Sequence, residues 1–516
     1  MTAVAPNPAG AHSTPPPAAD YAPVVLLAII VLGAVLRAFW LTHQSLWTDE
    51  VATYLSSNGS LAQVVSQPAG NIPPFYYLMM NAMLRLGTRD LLLRLPSVVA
   101  GVLSIPFFFL IVRRWLGGTA GLWCAAMLAI SPFHVWYSQE ARPYALLVLL
   151  SLLALWSLQH ALAEPKSRRW RVAFVVFTAA VFASHTLGLA FVAFTAAVVL
   201  LEVPRAQWRE WRSAFAATGV LMLPAIYRVI TFTPDAATYR HTTSVLLNVP
   251  YAIWSFASGY SLGPSVTELH EVSQRTAVVA RHAALIIAVL ALFSAHFFYG
   301  ALQLWRKHLR LAQVVGAWFL FPMSLALVGP IVTVHPFNVR YAILAFPPFV
   351  MLIVLGASEL KWRWMRSAAW AAMAIVSVVA LYGYYFEPRY YRDDNRAGAS
   401  FIASHATGHD LLVVGAPYTA PNLAYYGAGY GTRLLPYPLG DQEVDSARVA
   451  SDLNAMLGDH HRFWLFLSRT YDSDPHGYLQ RYCEEHFQRD LAYSGPGVRV
   501  VRYEVAPITP PRSEQR

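Results

Sequence analysis

Long apolar segments recur through the first 386 residues and are separated by shorter polar ones. About 20 consecutive apolar residues are needed for a helix to cross a lipid bilayer. The pattern predicts about eleven such spans, several of them short, and therefore an all-α polytopic membrane domain over residues 21–386. The predicted spans are residues 21–41, 94–112, 118–133, 143–162, 172–184, 187–201, 213–231, 277–302, 311–332, 341–358 and 367–386.

The stretch between the first two spans, residues 43–93, is polar and amphipathic. It contains a short apolar segment, Phe75–Gly87, which begins directly after two prolines. This segment falls well short of the length that crosses a bilayer. We therefore expect a helix that lies at the membrane interface, within a long outer loop.

Residues 387–506 combine many charges with alternating strand and helix patterns, which predict a small α/β domain. Residues 1–20 are rich in proline and alanine and lack a basic segment, so we expect a disordered tail rather than a signal peptide. Residues 507–516, with three prolines, are expected to form a loose tail. The predicted strands are Leu411–Gly415, Phe463–Ser468 and Val498–Val505, and the predicted helices are about 394–406, 446–458 and 475–486.

The composition supports a membrane protein. Hydrophobic residues make up 56% of the chain and charged residues 13%, whereas about 25% is usual in soluble domains. Mean hydropathy is +0.41. The net charge of +10 is typical of basic cytoplasmic loops, so we expect contact with the bilayer and no nucleic-acid partner. The two cysteines do not suggest a disulfide framework.

Five basic clusters between the spans predict the orientation. They fall on alternate loops if Phe75–Gly87 does not cross, and the positive-inside rule then places all five in the cytoplasm. We expect a multi-pass protein of the plasma (inner) membrane, with a cytoplasmic N-terminus and an extracytoplasmic C-terminal domain. Arg85, Arg89 and Arg94 depart from this trend, because they lie on the outer side.

Two adjacent acids, Asp49 and Glu50, follow the first span and are framed by Trp47 and Tyr54. Their depth is fixed by the end of the span, and aromatic neighbours suit an interface. A carboxylate at this position can act as a general base on a substrate hydroxyl. The alternative is a solvated pair of acids just past a helix end.

Two further outer segments contain candidate anion-binding side chains. The stretch from Ser131 to Tyr144 includes Glu140 and Arg142, which form either a site for an anion and a sugar or an ordinary surface ion pair. Arg340 lies at the mouth of a late span, where an arginine either extends to the interface or holds a phosphate with its planar fork of donors.

These motifs together resemble the polytopic glycosyltransferases of the GT-C fold, and most closely the protein O-mannosyltransferase-like branch that includes the aminoarabinose transferases. The similar residues are Trp47-x-Asp49-Glu50 with Tyr54, the Pro73-Pro74-x-Tyr76-Tyr77 helix, the Glu140-Ala141-Arg142-x-Tyr144 loop and the late Arg340-Tyr341 pair. The resemblance covers roughly residues 22–386. One departure is Asn71-Ile72-Pro73-Pro74, where many relatives have a histidine before the prolines.

The resemblance implies an inverting transfer of a sugar from a polyprenyl phosphate to an acceptor hydroxyl on the non-cytoplasmic face. It implies that Asp49 is the catalytic base and that Glu50 orients or binds the acceptor. Arg340, with Arg142 and Tyr341, is expected to bind the donor phosphate. The expected substrate contacts are Tyr54, Asn71, His134, Tyr137, Glu140 and His335.

The sequence requires no cofactor, because a lipid phosphate is an activated leaving group and no ligand cluster calls for a divalent metal. The sugar and the acceptor, whether a protein, a lipid or a glycan, stay open. One alternative is a transporter or flippase of lipid-linked sugars, which the lack of acids within the predicted spans disfavours. A second alternative is a non-catalytic scaffold in envelope assembly.

Overall fold

The computed structural model of the protein describes residues 21–66, 72–88, 90–231, 245–270, 275–332, 337–408, 410–427, 433–438, 443–471 and 473–507. Helices dominate as far as residue 386. They are α1 (Ala22–Ala38), α2 (Thr48–Ser57), α3 (Leu61–Ser66), α4 (Pro74–Leu84), α5 (Asp90–Leu116), α6 (Gly118–Ile130), α7 (Pro132–Ser138), α8 (Tyr144–Ala163), α9 (Arg168–Ser184), α10 (Gly188–Glu202), α11 (Trp208–Thr231), α12 (Val245–Ser258), α13 (Val266–His270), α14 (Arg275–Arg281), α15 (Ala283–Lys307), α16 (Leu309–Val332), α17 (Phe346–Ser358) and α18 (Arg363–Phe386).

The polytopic all-α membrane domain predicted from the sequence is confirmed. Among the described residues, seven helical segments are long and apolar enough to cross a membrane, and the pair α6 and α7, bent by 60°, adds an eighth if it counts as one span. The helices α1 and α10 are apolar but shorter. The number eleven stays a prediction, because several predicted spans fall below the length of a full crossing.

The helix bundle is closely packed around α17, a 13-residue helix whose residues are mostly buried. It crosses α15 with backbone contact at two glycines. A Cβ on Gly300 would lie 2.0 Å from the Leu352 carbonyl oxygen, and one on Gly356 would lie 2.0 Å from the His296 carbonyl oxygen. Small residues permit this approach, as is common where membrane helices associate.

The outer loop between the first two spans folds into α2, α3 and α4. The predicted interfacial helix corresponds to α4, which begins right after Pro73 and buries Tyr76, Tyr77 and Met80. Proline at the first helical position is favourable, because its fixed φ suits the helix and its missing N–H has no partner there anyway. This loop therefore forms a folded layer on the membrane domain.

The C-terminal region forms a five-stranded sheet with helices, as predicted for an α/β domain. The strand order is β2-β1-β3-β5-β4, in which β2, β1 and β3 are parallel and β4 and β5 are antiparallel additions. The sequence missed β2 and β4. The elements are α19 (Asn395–His405), β1 (Leu411–Val414), α20 (Ala420–Tyr425), β2 (Arg433–Pro436), α21 (Val449–Leu457), β3 (Arg462–Ser468), α22 (Tyr478–His486), β4 (Phe487–Gly495) and β5 (Val498–Pro507).

The orientation can be tested by labelling, because both native cysteines, Cys124 and Cys483, are buried. A cysteine replacing the exposed Ser404 should react with an impermeant thiol reagent in spheroplasts. A cysteine replacing the exposed Ser213, beside a basic cluster, should react only after lysis. Labelling of Ser213→Cys alone before lysis would reverse the predicted orientation.

Candidate functional site

Helix α2 presents its two acids in different directions. Asp49 and Glu50 lie in its first turn, where the positive end of the helix dipole favours carboxylates. Consecutive residues of a helix point about 100° apart, since a turn takes 3.6 residues. The two carboxylates therefore have separate surroundings and separate partners.

Glu50 is fully buried and fully paired. Its carboxylate accepts hydrogen bonds from Arg94 Nε at 2.8 Å and Nη2 at 2.6 Å, and from the Ala141 backbone N–H at 2.8 Å. Arg94 also donates to the backbone carbonyls of residues 41, 44 and 45. This pair joins the end of the first span, α5 and the second outer loop, so Glu50 acts as a positioning residue. The predicted contact between Glu50 and the acceptor is not favoured, because the Glu50 carboxylate is buried and already paired.

Asp49 faces the other way and pairs with Arg340. Its side chain keeps 27% exposure, and Arg142 Nη1 donates to its backbone carbonyl at 3.2 Å. Burial alone would raise the pKa of Asp49, but Arg340, Arg142 and Arg469 together hold it well below its usual range. Asp49 is therefore an anion at neutral pH.

Arg340 is held in place by its own short helix and by aromatic rings. It belongs to the 3₁₀ segment Val339–Ala345, whose N-cap Asn338 accepts a hydrogen bond from the Arg340 N–H at 3.1 Å. The guanidinium lies over the rings of Tyr341, at 5.6 Å, and Tyr144, at 5.8 Å. Its Nε–H is buried without a partner among the described residues, so this donor is available to a ligand.

A cavity of about 710 Å³ opens beside Arg340, between the membrane domain and the C-terminal domain. Asp49 adjoins it through Arg340 and does not itself line it. Aromatic rings dominate the membrane side, and strand ends and turns form the other side. The membrane side includes Trp47, Trp136, Tyr137, Glu140, Tyr251, Tyr260, Arg340 and Arg392, and the C-terminal side consists mainly of residues 467–471, 474–477 and 494–499.

The C-terminal wall includes the carboxyl end of the parallel strand β3 and the turn between β4 and β5, and open α/β sheets commonly bind ligands at the carboxyl ends of their strands. The strand β3 ends at Ser468, and Arg469 follows it into the cavity. Arg469 pairs with Asp393 at 3.4 Å and lies 5.2 Å from the centre of the Trp47 ring. No role for this domain was predicted from the sequence, and it forms one wall of the cavity.

Glu140 is the most unusual group in the cavity. It is fully buried, and neither carboxylate oxygen has a hydrogen-bond partner among the described residues. Burial raises the pKa of Glu140 to about 7, and the nearby Arg392 offsets only part of that rise. A buried carboxylate without a partner is costly, so its retention beside a cavity suggests that it binds substrate.

The other predicted site residues are divided between the cavity and the surrounding core. Tyr137 lines the cavity, and its hydroxyl lies 2.7 Å from the hydroxyl of Tyr260. His134 is fully buried outside the cavity lining, where its Nδ1 lies 2.8 Å from Arg37 Nη2. Tyr54 packs edge-on against Tyr425. Asn71 and His335 lie outside the described residues.

Three arginines of the site were not predicted from the sequence, namely Arg94, Arg392 and Arg469. Of these, only Arg94 has a sequence feature that could have indicated a role, because it departs from the positive-inside pattern of the loops. Arg392 lies 4.7 Å from the centre of the Trp136 ring and 3.6 Å from Glu50. Arg392 and Arg469 belong to the charged C-terminal region, where no sequence pattern indicates contact with the outer loops.

Comparisons with known proteins agree with this architecture. A family model described as dolichyl-phosphate-mannose-protein mannosyltransferase matches residues 71–232. A search of curated protein sequences finds no match.

Solved structures match nearly the whole chain. The crystal structure of ArnT from Cupriavidus metallidurans in the apo state is 13% identical, has a TM-score of 0.60, and the alignment covers 93% of this chain and 97% of ArnT. ArnT bound to undecaprenyl phosphate is 14% identical with a TM-score of 0.57, covering 94% and 98% of the two chains. The archaeal oligosaccharyltransferase AglB from Archaeoglobus fulgidus, solved with an inhibitory peptide and a dolichol-phosphate, is 12% identical with a TM-score of 0.56, covering 93% and 74%. The predicted GT-C fold is confirmed.

The Glu50–Arg94 pair should be essential for stability. In Arg94→Met the Glu50 carboxylate stays buried without its cation, and such changes cost about 3–5 kcal/mol. The matched control is Arg499→Met, which breaks a partly exposed pair with Glu484 and should cost less than about 1 kcal/mol. Thermal unfolding of the purified proteins compares them, and equal losses would contradict the central role of the buried pair.

The Glu140 carboxyl should impose a pH dependence on stability. Its pKa is about 7 in the folded protein against 4.5 ordinarily, so between these values the folded state binds more protons than the unfolded state. Stability should therefore fall as pH rises through this window, by roughly 3 kcal/mol at most. The variant Glu140→Gln should lack this fall, whereas Glu485→Gln, at an exposed site, should retain it. Parallel profiles for wild type and Glu140→Gln would refute the assignment.

Proposed function

We propose that the protein is an integral-membrane glycosyltransferase that moves a sugar from a polyprenyl-phosphate donor to an acceptor hydroxyl on the non-cytoplasmic face. The observation that carries the proposal is the Asp49–Arg340 ion pair beside a large aromatic cavity. The pair supports the proposal because a carboxylate suited to act as a base contacts a cation suited to bind a phosphate. The fold shared with ArnT, which was solved with undecaprenyl phosphate, supports the same donor class.

Arg340 and Arg142 are the proposed ligands of the donor phosphate. Both flank Asp49, and the Nε–H of each is buried without a partner among the described residues. A guanidinium offers two parallel donors that match the oxygens of a phosphate. Tyr341 contributes by supporting the Arg340 guanidinium with its ring.

Asp49 is the proposed base. It takes the proton of the acceptor hydroxyl while the hydroxyl oxygen attacks the anomeric carbon of the sugar. The bond between that carbon and the phosphate oxygen breaks, and the phosphate keeps the electron pair. Attack from the face opposite the leaving group inverts the anomeric configuration. Arg340 and Arg142 stabilise the negative charge that develops on the lipid phosphate.

The ion pair also explains how donor binding would activate the base. While Arg340 pairs with Asp49, the low pKa of this carboxyl makes it a weak base. A donor phosphate competes for the same guanidinium and draws it away from Asp49. The pKa of Asp49 then rises, and the carboxylate becomes a stronger base only once the donor is bound.

Sugar and acceptor bind in the cavity under this proposal. Its aromatic rings offer flat apolar surfaces, and Glu140 and Tyr137 offer polar atoms to hydroxyl groups. The acceptor enters between the membrane domain and the C-terminal domain, past Arg469. The described residues contain no group of three or more histidines, cysteines or acids that could hold a metal ion, and the predicted lack of a cofactor stays a prediction.

The variant Asp49→Asn tests the base. It keeps the shape of the side chain and removes its ability to accept the proton, so transfer should fall by about 10²-fold or more. Binding of the polyprenyl-phosphate sugar should persist, measured on the same purified protein. The control Asp459→Asn makes the same chemical change at an exposed site and should leave transfer unchanged. Near-normal turnover in Asp49→Asn would contradict the role of Asp49 as the base.

The variant Arg340→Ala tests the phosphate ligand separately from the base. It should weaken donor binding more than acceptor binding, because it removes a phosphate ligand. An unchanged donor affinity would remove Arg340 from the phosphate site and leave the assignment of Asp49 to be judged by its own variant.

A further inference from the structure

A second cavity, of about 650 Å³, lies at the other end of the helix bundle. Its walls come from the ends of α5, α15 and α17, from the beginnings of α6 and α18, and from His308, which lies between α15 and α16. Its volume falls within the range of about 300–1,000 Å³ that is usual for ligand sites. None of its lining residues belongs to the site described above.

Two chain segments connect the cavities and fix their separation. The segment that begins with Arg340 beside the first cavity continues as α17, whose last residue, Ser358, lines the second. The helix α18 starts at Arg363 in the second cavity and leads back to Arg392 in the first. Its 24 residues span roughly 36 Å, about the thickness of a bilayer core. The second cavity therefore lies at the opposite membrane–water boundary, which the basic loops predict to be cytoplasmic.

The charges of the second cavity do not balance. Lys307, Arg363 and Arg366 line it, and the carboxylate of Glu359 is paired with Lys307. The guanidinium groups of Arg363 and Arg366 form no ion pair with any carboxylate in the part of the chain that the structure describes. Two positive charges are thus left at the cavity for an anion.

The rest of the lining is aromatic and apolar. Trp123 and Trp370 are stacked, with ring centres 4.2 Å apart and planes inclined by 14°. Trp370 follows Arg366 by four residues on α18, so the two side chains lie on one face of the helix. Tryptophan prefers the boundary between headgroups and acyl chains. The cavity thus places an aromatic surface at that depth beside two cations that have no carboxylate partner in the described ranges.

We propose that this cavity binds an anionic phospholipid, with the headgroup phosphate between Arg363 and Arg366 and the glycerol region against Trp123 and Trp370. Basic pockets between membrane helices on the cytoplasmic side are suited to such headgroups. The depth of the cavity and its aromatic wall favour a lipid over a free anion, which needs no apolar surface. The site lies away from the transfer reaction and does not depend on the function proposed above.

The test titrates the full-length protein with phosphatidylglycerol in a phosphatidylcholine background and counts bound lipids by native mass spectrometry. The double variant Arg363→Gln/Arg366→Gln should lower the apparent affinity for phosphatidylglycerol roughly tenfold or more. The matched control is Arg113→Gln/Arg114→Gln, which removes the same charge from the same end of the bundle outside the cavity lining. The control should change the affinity less than about twofold, because only a specific site depends on position.

Three outcomes would overturn the proposal. Equal losses in both double variants would mean that the general surface charge attracts the lipid. An unchanged affinity in Arg363→Gln/Arg366→Gln would exclude the cavity. Displacement of phosphatidylglycerol by inorganic phosphate would identify a site for a soluble anion. The unfolding temperature gives a second readout, since phosphatidylglycerol should raise it in the wild type and in the control but not in the cavity variant.

Discussion

The buried pair of Glu50 and Arg94 is the constraint on which the geometry of the candidate site depends. A carboxylate without exposure is tolerable only if its charge and lone pairs are matched, and Arg94 with the Ala141 N–H does this. Arg94 also donates hydrogen bonds to the backbone carbonyls of residues 41, 44 and 45, where the chain leaves the first span. Three segments distant in sequence are thereby fixed against one another at the membrane surface.

This arrangement gives the neighbouring acids Asp49 and Glu50 different surroundings and different partners. Because α2 is helical, locking Glu50 into the core turns Asp49 toward Arg340. Glu50 is held by structural contacts, whereas Asp49 pairs with a cation that, in the proposed mechanism, binds a phosphate instead. Under that proposal the environment of each group, and not its residue type, decides which one acts as the base.

The C-terminal domain converts the candidate site from an open membrane surface into a cavity between two domains. It is attached to the outer loop by hydrogen bonds such as that from the Leu46 N–H to the Tyr426 hydroxyl, at 2.6 Å, and from Asn422 to Thr48, at 3.0 Å. The carboxyl end of β3 then faces the aromatic side of the cavity. Enclosure lowers the local dielectric, which strengthens the interactions of Asp49, Glu140 and the arginines around them. At the far end of the same helices, two arginines that form no ion pair among the described residues line a second cavity together with a tryptophan pair.

The sequence by itself determined the membrane domain, the interfacial helix, most of the α/β elements and the identity of Asp49 and Arg340 as candidates. These follow from local rules, namely the length and period of apolar segments and the motifs at span ends. It missed β2, whose four residues are not buried as those of the equally short β1 are, and β4, whose exposed side chains give no apolar pattern. Only the tertiary structure decided which charges meet. The partners Asp49 and Arg340 are 291 residues apart, the buried state of Glu50 depends on α5, and the isolation of Glu140 depends on every wall around it. Ion pairing and desolvation act through space, so no local pattern along the chain records them.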